Sequence, residues 1–150
     1  MKRFHFRLER LLELRAYRER EWLAKLAEAA GHCVRVNRSL HQNSDDTTAA
    51  FASDFREGLQ VDLTLLMYRE QYLARLGVER RRLEEELQRR LARKDEVQKR
   101  YLEVSRDRKI LDKLKERRER EFYREQRQEE FKVMDDANGS RYVRARLEKS

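Results

Sequence analysis

Between His5 and Leu40 the positions 5, 8, 12, 15, 19, 22, 26, 29, 33, 36 and 40 step alternately by three and four. That spacing keeps one stripe of an α-helix turned toward a partner helix. Leu8, Leu12, Trp22, Leu26, Ala29, Cys33, Val36 and Leu40 stand on the stripe. Arg15 and Glu19 interrupt it, while Leu11, Ala16, Leu23 and Ala30 widen it enough to bury one face. The pattern predicts a helix over about residues 3–42. From His41 to Gly58 the pattern lapses into polar residues whose side chains compete with the backbone for hydrogen bonds. A chain reversal is predicted within about 43–58, with Asp54 and Glu57 spaced to cap the helix that follows. Ala49 to Phe55 is a weak apolar patch able to prolong either helix.

A second stripe begins at Leu59 and runs through Leu66, Leu73, Leu76, Leu83, Leu87, Val97, Tyr101, Val104, Leu111 and Phe122. It predicts a helix over about 59–137, ended by Asn138-Gly139-Ser140, with a frayed basic tail over about 138–150. Two helices joined by a short reversal must run antiparallel. The expected fold is therefore all-α, a single coiled-coil hairpin over residues 1–150 whose longer second helix overhangs the first. A turn near residue 50 lays Leu8 beside roughly residue 92, and one near 58 lays it beside roughly residue 108. On either placement the C-terminal part of the second helix overhangs with stripe residues that include Leu111, Leu114 and Phe122, which points to an external partner; Leu111 and Leu114 stay open between that role and the intramolecular core, with core favoured for Leu111.

Composition agrees with long helices and removes several functions. The 150 residues include 44% charged side chains, no Pro and only 4 Gly, so the commonest interior helix breaker is missing and a thick core is not available. Glu85 and Arg89, Glu86 and Arg90, Asp95 and Lys99, and Glu96 and Arg100 stand at i,i+4 in the favourable order. Cys33, the single cysteine, has no partner for an intramolecular disulfide and reads as a small packing residue. The first 26 residues are punctuated by charge, without the apolar core of a secretory signal. The longest apolar stretch, Leu63 to Tyr68, is far short of the ~20 residues of a membrane span. The expected location is cytoplasmic.

No Gly-rich phosphate loop, His-Glu-x-x-His or paired Cys occurs. His5, His32 and His41 lack metal-ligand spacing, and His32 points about 100° away from Cys33 on a helix. Neither an enzyme nor a cofactor is expected. The net charge of +8 is uneven: residues 1–40 hold 10 basic and 5 acidic groups, and residues 41–58 hold 1 and 4. That polarity can orient the protein on its partners. Arg80-Arg81-Arg82, Arg89-Arg90 and Arg117-Arg118 are flanked by Glu and lack the aromatic or Gly-rich interleaving of base-stacking surfaces, so a solvated helix face is favoured over a nucleic-acid-binding hairpin.

The opening Phe4-x-Phe6-x-Leu8-x-x-Leu11-Leu12-x-Leu14-Arg15, the central Tyr68-x-x-x-Tyr72-Leu73-x-x-Leu76 and the late Arg108-Lys109-x-Leu111-x-Lys113-Leu114-Lys115-Glu116-Arg117 together resemble the FliJ family of flagellar export proteins. The resemblance covers nearly the whole chain. It departs near the end, where such families usually run Glu-Gln-Lys-x-x-Asp-Glu and this chain reads Glu129-Glu130-Phe131-Lys132-Val133-Met134-Asp135-Asp136.

The resemblance implies a cytoplasmic component of the flagellar type III export apparatus, peripherally associated with the inner membrane and built like the stalk of a rotary ATPase. It implies that the end carrying both termini enters the pore of the hexameric export ATPase and promotes its assembly and activity. Leu8, Leu12, Arg15, Leu114, Arg117 and Arg118 are the matching residues there. It further implies contact with the export gate's membrane protein through Tyr68, Tyr72 and Leu76, and escort of export chaperones. The residues themselves leave Tyr72 open between a staple over the first helix and an exposed anchor. A stalk protein of a virulence type III secretion system or of a rotary ATPase has nearly the same physics.

Overall fold

The computed structural model describes residues 3–53, 55–57 and 60–148. Two long helices pack as an antiparallel hairpin, α1 over Glu9–Ala52 and α2 over Leu63–Leu147, the second the longer at 85 residues against 44. Between them two short strands, β1 over Arg56–Glu57 and β2 over Gln60–Val61, pair antiparallel with Arg56 opposite Val61 and Glu57 opposite Gln60. The chain divides into two compact units. One is Glu19–Glu103, and the other combines Met1–Arg18 with Val104–Ser150.

In the first unit the inward positions of α1 are Trp22, Leu26, Ala29, Cys33, Val36 and Leu40, as the spacing predicted. The stripe then continues through Asn43, Thr47 and Ala50, so α1 runs ten residues past its expected end at 42 and the reversal begins after Ala52, in the later part of the predicted window. The polar run stays helical because its side chains return bonds to their own helix instead of breaking it. The hydroxyls of Thr47, Thr48 and Ser53 donate to the carbonyls of Asn43, Ser44 and Ala49 at 2.8, 3.0 and 3.1 Å. Asn43, only 4% exposed, donates from Nδ2 to the Leu76 carbonyl of α2 at 3.0 Å. Facing it, α2 turns Leu66, Leu73, Leu76, Leu83, Leu87 and Val97 inward, with Leu76 6% and Val97 3% exposed.

The start of α2 is also corrected. Asp54, half of the expected cap, and Leu59, the expected first stripe residue, lie outside the described residues. The cap observed is Asp62, whose Oδ1 accepts from the backbone N–H groups of Thr64 and Leu65 at 2.9 and 3.2 Å. Two of the orphan donors of the first turn are thereby satisfied. Asp62 also donates its own N–H to the Phe55 carbonyl at 3.2 Å, tying the helix start to the tip.

In the second unit the chain enters extended rather than helical. Residues 3–6 are non-helical, Arg7 and Leu8 turn, and α1 starts at Glu9, whose N–H donates to the Phe6 carbonyl. The helix expected from residue 3 is therefore shorter at this end, and its predicted stripe positions His5 and Leu8 are exposed while Phe6 is buried at 7%. An extended Phe-x-Phe puts both rings on one side of the chain, which a helix would not. Leu111, Leu114 and Phe122 are half-buried, not overhanging, because Glu9 and Arg15 lie against Lys115 and Asp107. Every described residue from Arg127 to Glu148 is exposed, so the overhang begins there. Asn138-Gly139-Ser140 does not end α2, which continues to Leu147. One Gly costs a helix only about 1 kcal/mol, no Pro follows, and Arg144 and Arg146 complement the dipole in the last turn.

Candidate partner-binding surfaces

The extended segment and α2 enclose an open cleft of about 690 Å³ in the unit that holds residues 3–18 and 104–148. Phe4 and Phe122 form one wall, with ring centroids 5.7 Å apart and planes tilted by 53°. Leu8 and Leu114 line the apolar interior, and Arg7, Arg118 and Glu121 also border it. Leu8 stays 39% exposed because the turn at Arg7–Leu8 lifts it off the helix stripe it would otherwise continue.

Ion pairs brace this unit. Arg15 donates to Asp107 at 3.0 Å, Lys115 to Glu9 at 2.8 Å, and Arg118 to Glu121 at 3.3 Å. The Glu9 carboxylate that accepts its hydrogen bond holds the Lys115 ammonium above its ordinary pKa. Of the residues the sequence nominates here, Leu8, Leu114 and Arg118 meet in the cleft. Arg117 is exposed on α2, Arg15 is occupied by Asp107, and Leu12 is core at 8% exposure. An apolar interior edged by Arg7, Arg118, Glu121 and Glu125, two charges of each sign, suits a peptide or helix that brings apolar side chains.

A second surface lies in the other unit. Tyr68 is 65% and Tyr72 44% exposed, beside a shallow depression of about 400 Å³ that Ala50, Phe55 and Leu65 also line. Leu76 does not join them; it is buried against the layer of Asn43. Arg69 stands 5.8 Å from the centre of the Phe55 ring and donates to the Ser53 carbonyl at 3.5 Å, holding the tip to α2. Among the described residues no group of three His, Cys, Asp or Glu could hold a metal ion. His32 takes part in an Arg35 contact at 2.7 Å and lies 3.8 Å from Glu28, all on one helix.

The family profile described as "Flagellar FliJ protein" matches residues 4–147, which include the whole of both helices. The chain belongs to the FliJ family. Comparison with curated proteins and with solved structures found no match. FliJ membership makes the protein a component of the flagellar export apparatus. No described helix is long and apolar enough to cross a membrane.

Within this FliJ-family chain the sequence missed Phe4 and Phe122 as the ring pair that walls the cleft, because it placed Phe122 in the overhang. The usable signal was the Phe-x-Phe alternation, whose period of two belongs to extended chain. It also missed Leu63 and Met67, exposed at 72% and 65% on the same stretch of α2 as Tyr68.

Proposed function

We propose that this FliJ-family protein acts as the coiled-coil stalk of the flagellar type III export ATPase. The unit with the Phe4–Phe122 cleft seats in the pore of the hexameric ATPase and promotes its assembly and activity. The Tyr68 and Tyr72 surface meets the export gate's membrane protein, which holds the complex at the inner membrane, and the protein also escorts export chaperones. The observation that carries the ATPase assignment is the cleft itself, an apolar opening that leaves Leu8 39% exposed.

The test is stimulation of the flagellar ATPase from the same source by the triple variant Arg15→Ala, Arg117→Ala, Arg118→Ala. Arg15 and Arg118 are each in partly exposed ion pairs, which contribute little to stability, so the helices survive. Stimulation is expected to fall about tenfold, as for loss of a few complementary charges. Unchanged stimulation with an intact circular dichroism spectrum would place the ATPase contact elsewhere.

A further inference from the structure

Residues 127–148, at the end of α2, are exposed throughout, yet one face of the helix carries large apolar and aromatic side chains around a single Asn. Phe131, Met134, Asn138, Tyr142 and Ala145 follow at intervals of three, four, four and three, which places them within a single narrow stripe of a helix turning about 100° per residue. Phe131, Met134 and Tyr142 are 66%, 61% and 68% exposed.

The spacing reads the same in both directions from Asn138. Charge is arranged around the same point with opposite signs. Residues 129–136 carry four acidic groups and one basic, and residues 141–148 carry three arginines and one glutamate. The midpoint of the bare stretch falls between Ala137 and Asn138, so a helix laid antiparallel across it at Asn138 uses all of it without reaching the segment that Phe4 covers.

We propose that this C-terminal stretch of α2 pairs antiparallel with the same stretch of a second copy of the chain, about a two-fold axis at Asn138. Met134 then lies opposite the partner's Tyr142, a sulfur–aromatic pair, and Phe131 opposite the partner's Ala145, large against small. The acidic block of each copy faces the basic block of the other. A parallel pair would stack Phe131 on its copy and each block on its own sign, which costs energy at both ends.

Ala137, Asn138, Gly139 and Ser140 form the crossing. A Cβ added at Gly139 would meet nothing within 4 Å in the isolated chain, so internal packing gives no reason for small residues here; a close crossing of two backbones does. Asn138 at the centre of the stripe pairs with its own copy and sets the register, the role a single buried Asn plays in coiled coils. The surface is short and self-complementary, as a two-fold contact requires, and suits a weak, concentration-dependent dimer. This inference does not rest on the ATPase or gate assignments.

Sedimentation equilibrium of the full chain over a wide concentration range is expected to show monomer and dimer in exchange. Reversing one block, by Glu130→Arg with Asp135→Arg or by Arg141→Glu with Arg146→Glu, the residues that face each other across the axis, is expected to raise the dissociation constant roughly tenfold or more. Combining all four substitutions restores complementarity and the dimer with it. All four introduce strong helix formers, so helix content is retained.

In a Cys33→Ala background with an added oxidant, Asn138→Cys is expected to cross-link, Met134→Cys alone not to, and a mixture of Met134→Cys and Tyr142→Cys chains to cross-link with each other. A chain that is monomeric at every concentration, a dimer indifferent to reversal of one block, or a Met134→Cys chain that cross-links to itself would overturn the proposal. The first of these is what a stripe reserved for another protein would give.

Discussion

Leu76→Ala tests whether Leu76 is core or part of the partner surface implied for Tyr68, Tyr72 and Leu76. The side chain is 6% exposed and its own carbonyl accepts from Asn43 Nδ2 at 3.0 Å. Truncation removes three carbons, worth about 0.8 kcal/mol each when buried, or about 2.3 kcal/mol after allowing for the residual exposure. The Asn43 bond anchors the α2 backbone and hinders its collapse into the space, so part of the cavity cost remains and the total is about 2.5–3.5 kcal/mol. At about 2–4 °C per kcal/mol for a chain of this size, the midpoint should fall by roughly 5–14 °C. Thermal unfolding followed by far-ultraviolet circular dichroism reads the shift, and amide hydrogen exchange should localise the loosening to residues 19–103. A loss under about 1 kcal/mol would refute the core assignment, since a half-exposed residue is what gives so small a value, and would return Leu76 to the partner surface.

Tyr68→Ala, at the more exposed of the two rings, should abolish binding to the export gate protein in a pull-down while ATPase stimulation and helix content persist; retained binding would remove the tyrosines from that interface. For Phe4 and Phe122, a double-alanine cycle measured by urea unfolding should give a coupling of about 0.5–1.5 kcal/mol, the value of a tilted aromatic pair, and a coupling near zero would dissolve the cleft wall. Because Glu9 raises the Lys115 pKa in the folded chain, the stabilisation it brings is present in full below the unfolded lysine value of about 10.4 and is lost as pH rises through the folded value. Stability should therefore decline over that alkaline window in the wild type more than in Glu9→Gln, and equal slopes would mean that the pair is not formed in solution.

Most of the helix pairing was legible because apolar residues at spacings of three and four have one physical use. From Leu12 to Leu40, and from Leu66 to Phe122, the inward residues follow the stripe read from sequence. The end of the first helix was placed too early because Asn, Ser, Asp and Thr behave in opposite ways in the two contexts. Exposed to solvent they compete with helical bonding, but Thr47, Thr48 and Ser53 each bond the carbonyl four residues back, and Asn43 bonds the facing helix. The later of the two turn placements and the extended tip decide which residues meet. They bring Glu9 to Lys115 and Phe4 to Phe122, covering positions that otherwise read as overhang. The cleft could not be found from helical periodicity because one of its walls is not a helix.

The Asn43–Leu76 bond also limits which alignments of the hairpin are tolerable. Repeating stripes resemble a ruler with identical graduations, and two such helices can slide by seven residues and still match apolar to apolar. Sliding α1 by one repeat carries a buried amide away from the carbonyl it reaches, and an unsatisfied group of that kind costs on the order of 1–3 kcal/mol. Because Asn43 sits only a few turns from the chain reversal, that penalty is felt as soon as the first layers beside the tip close. A pairing that starts out of frame there is rejected before the rest of the two helices has committed to it.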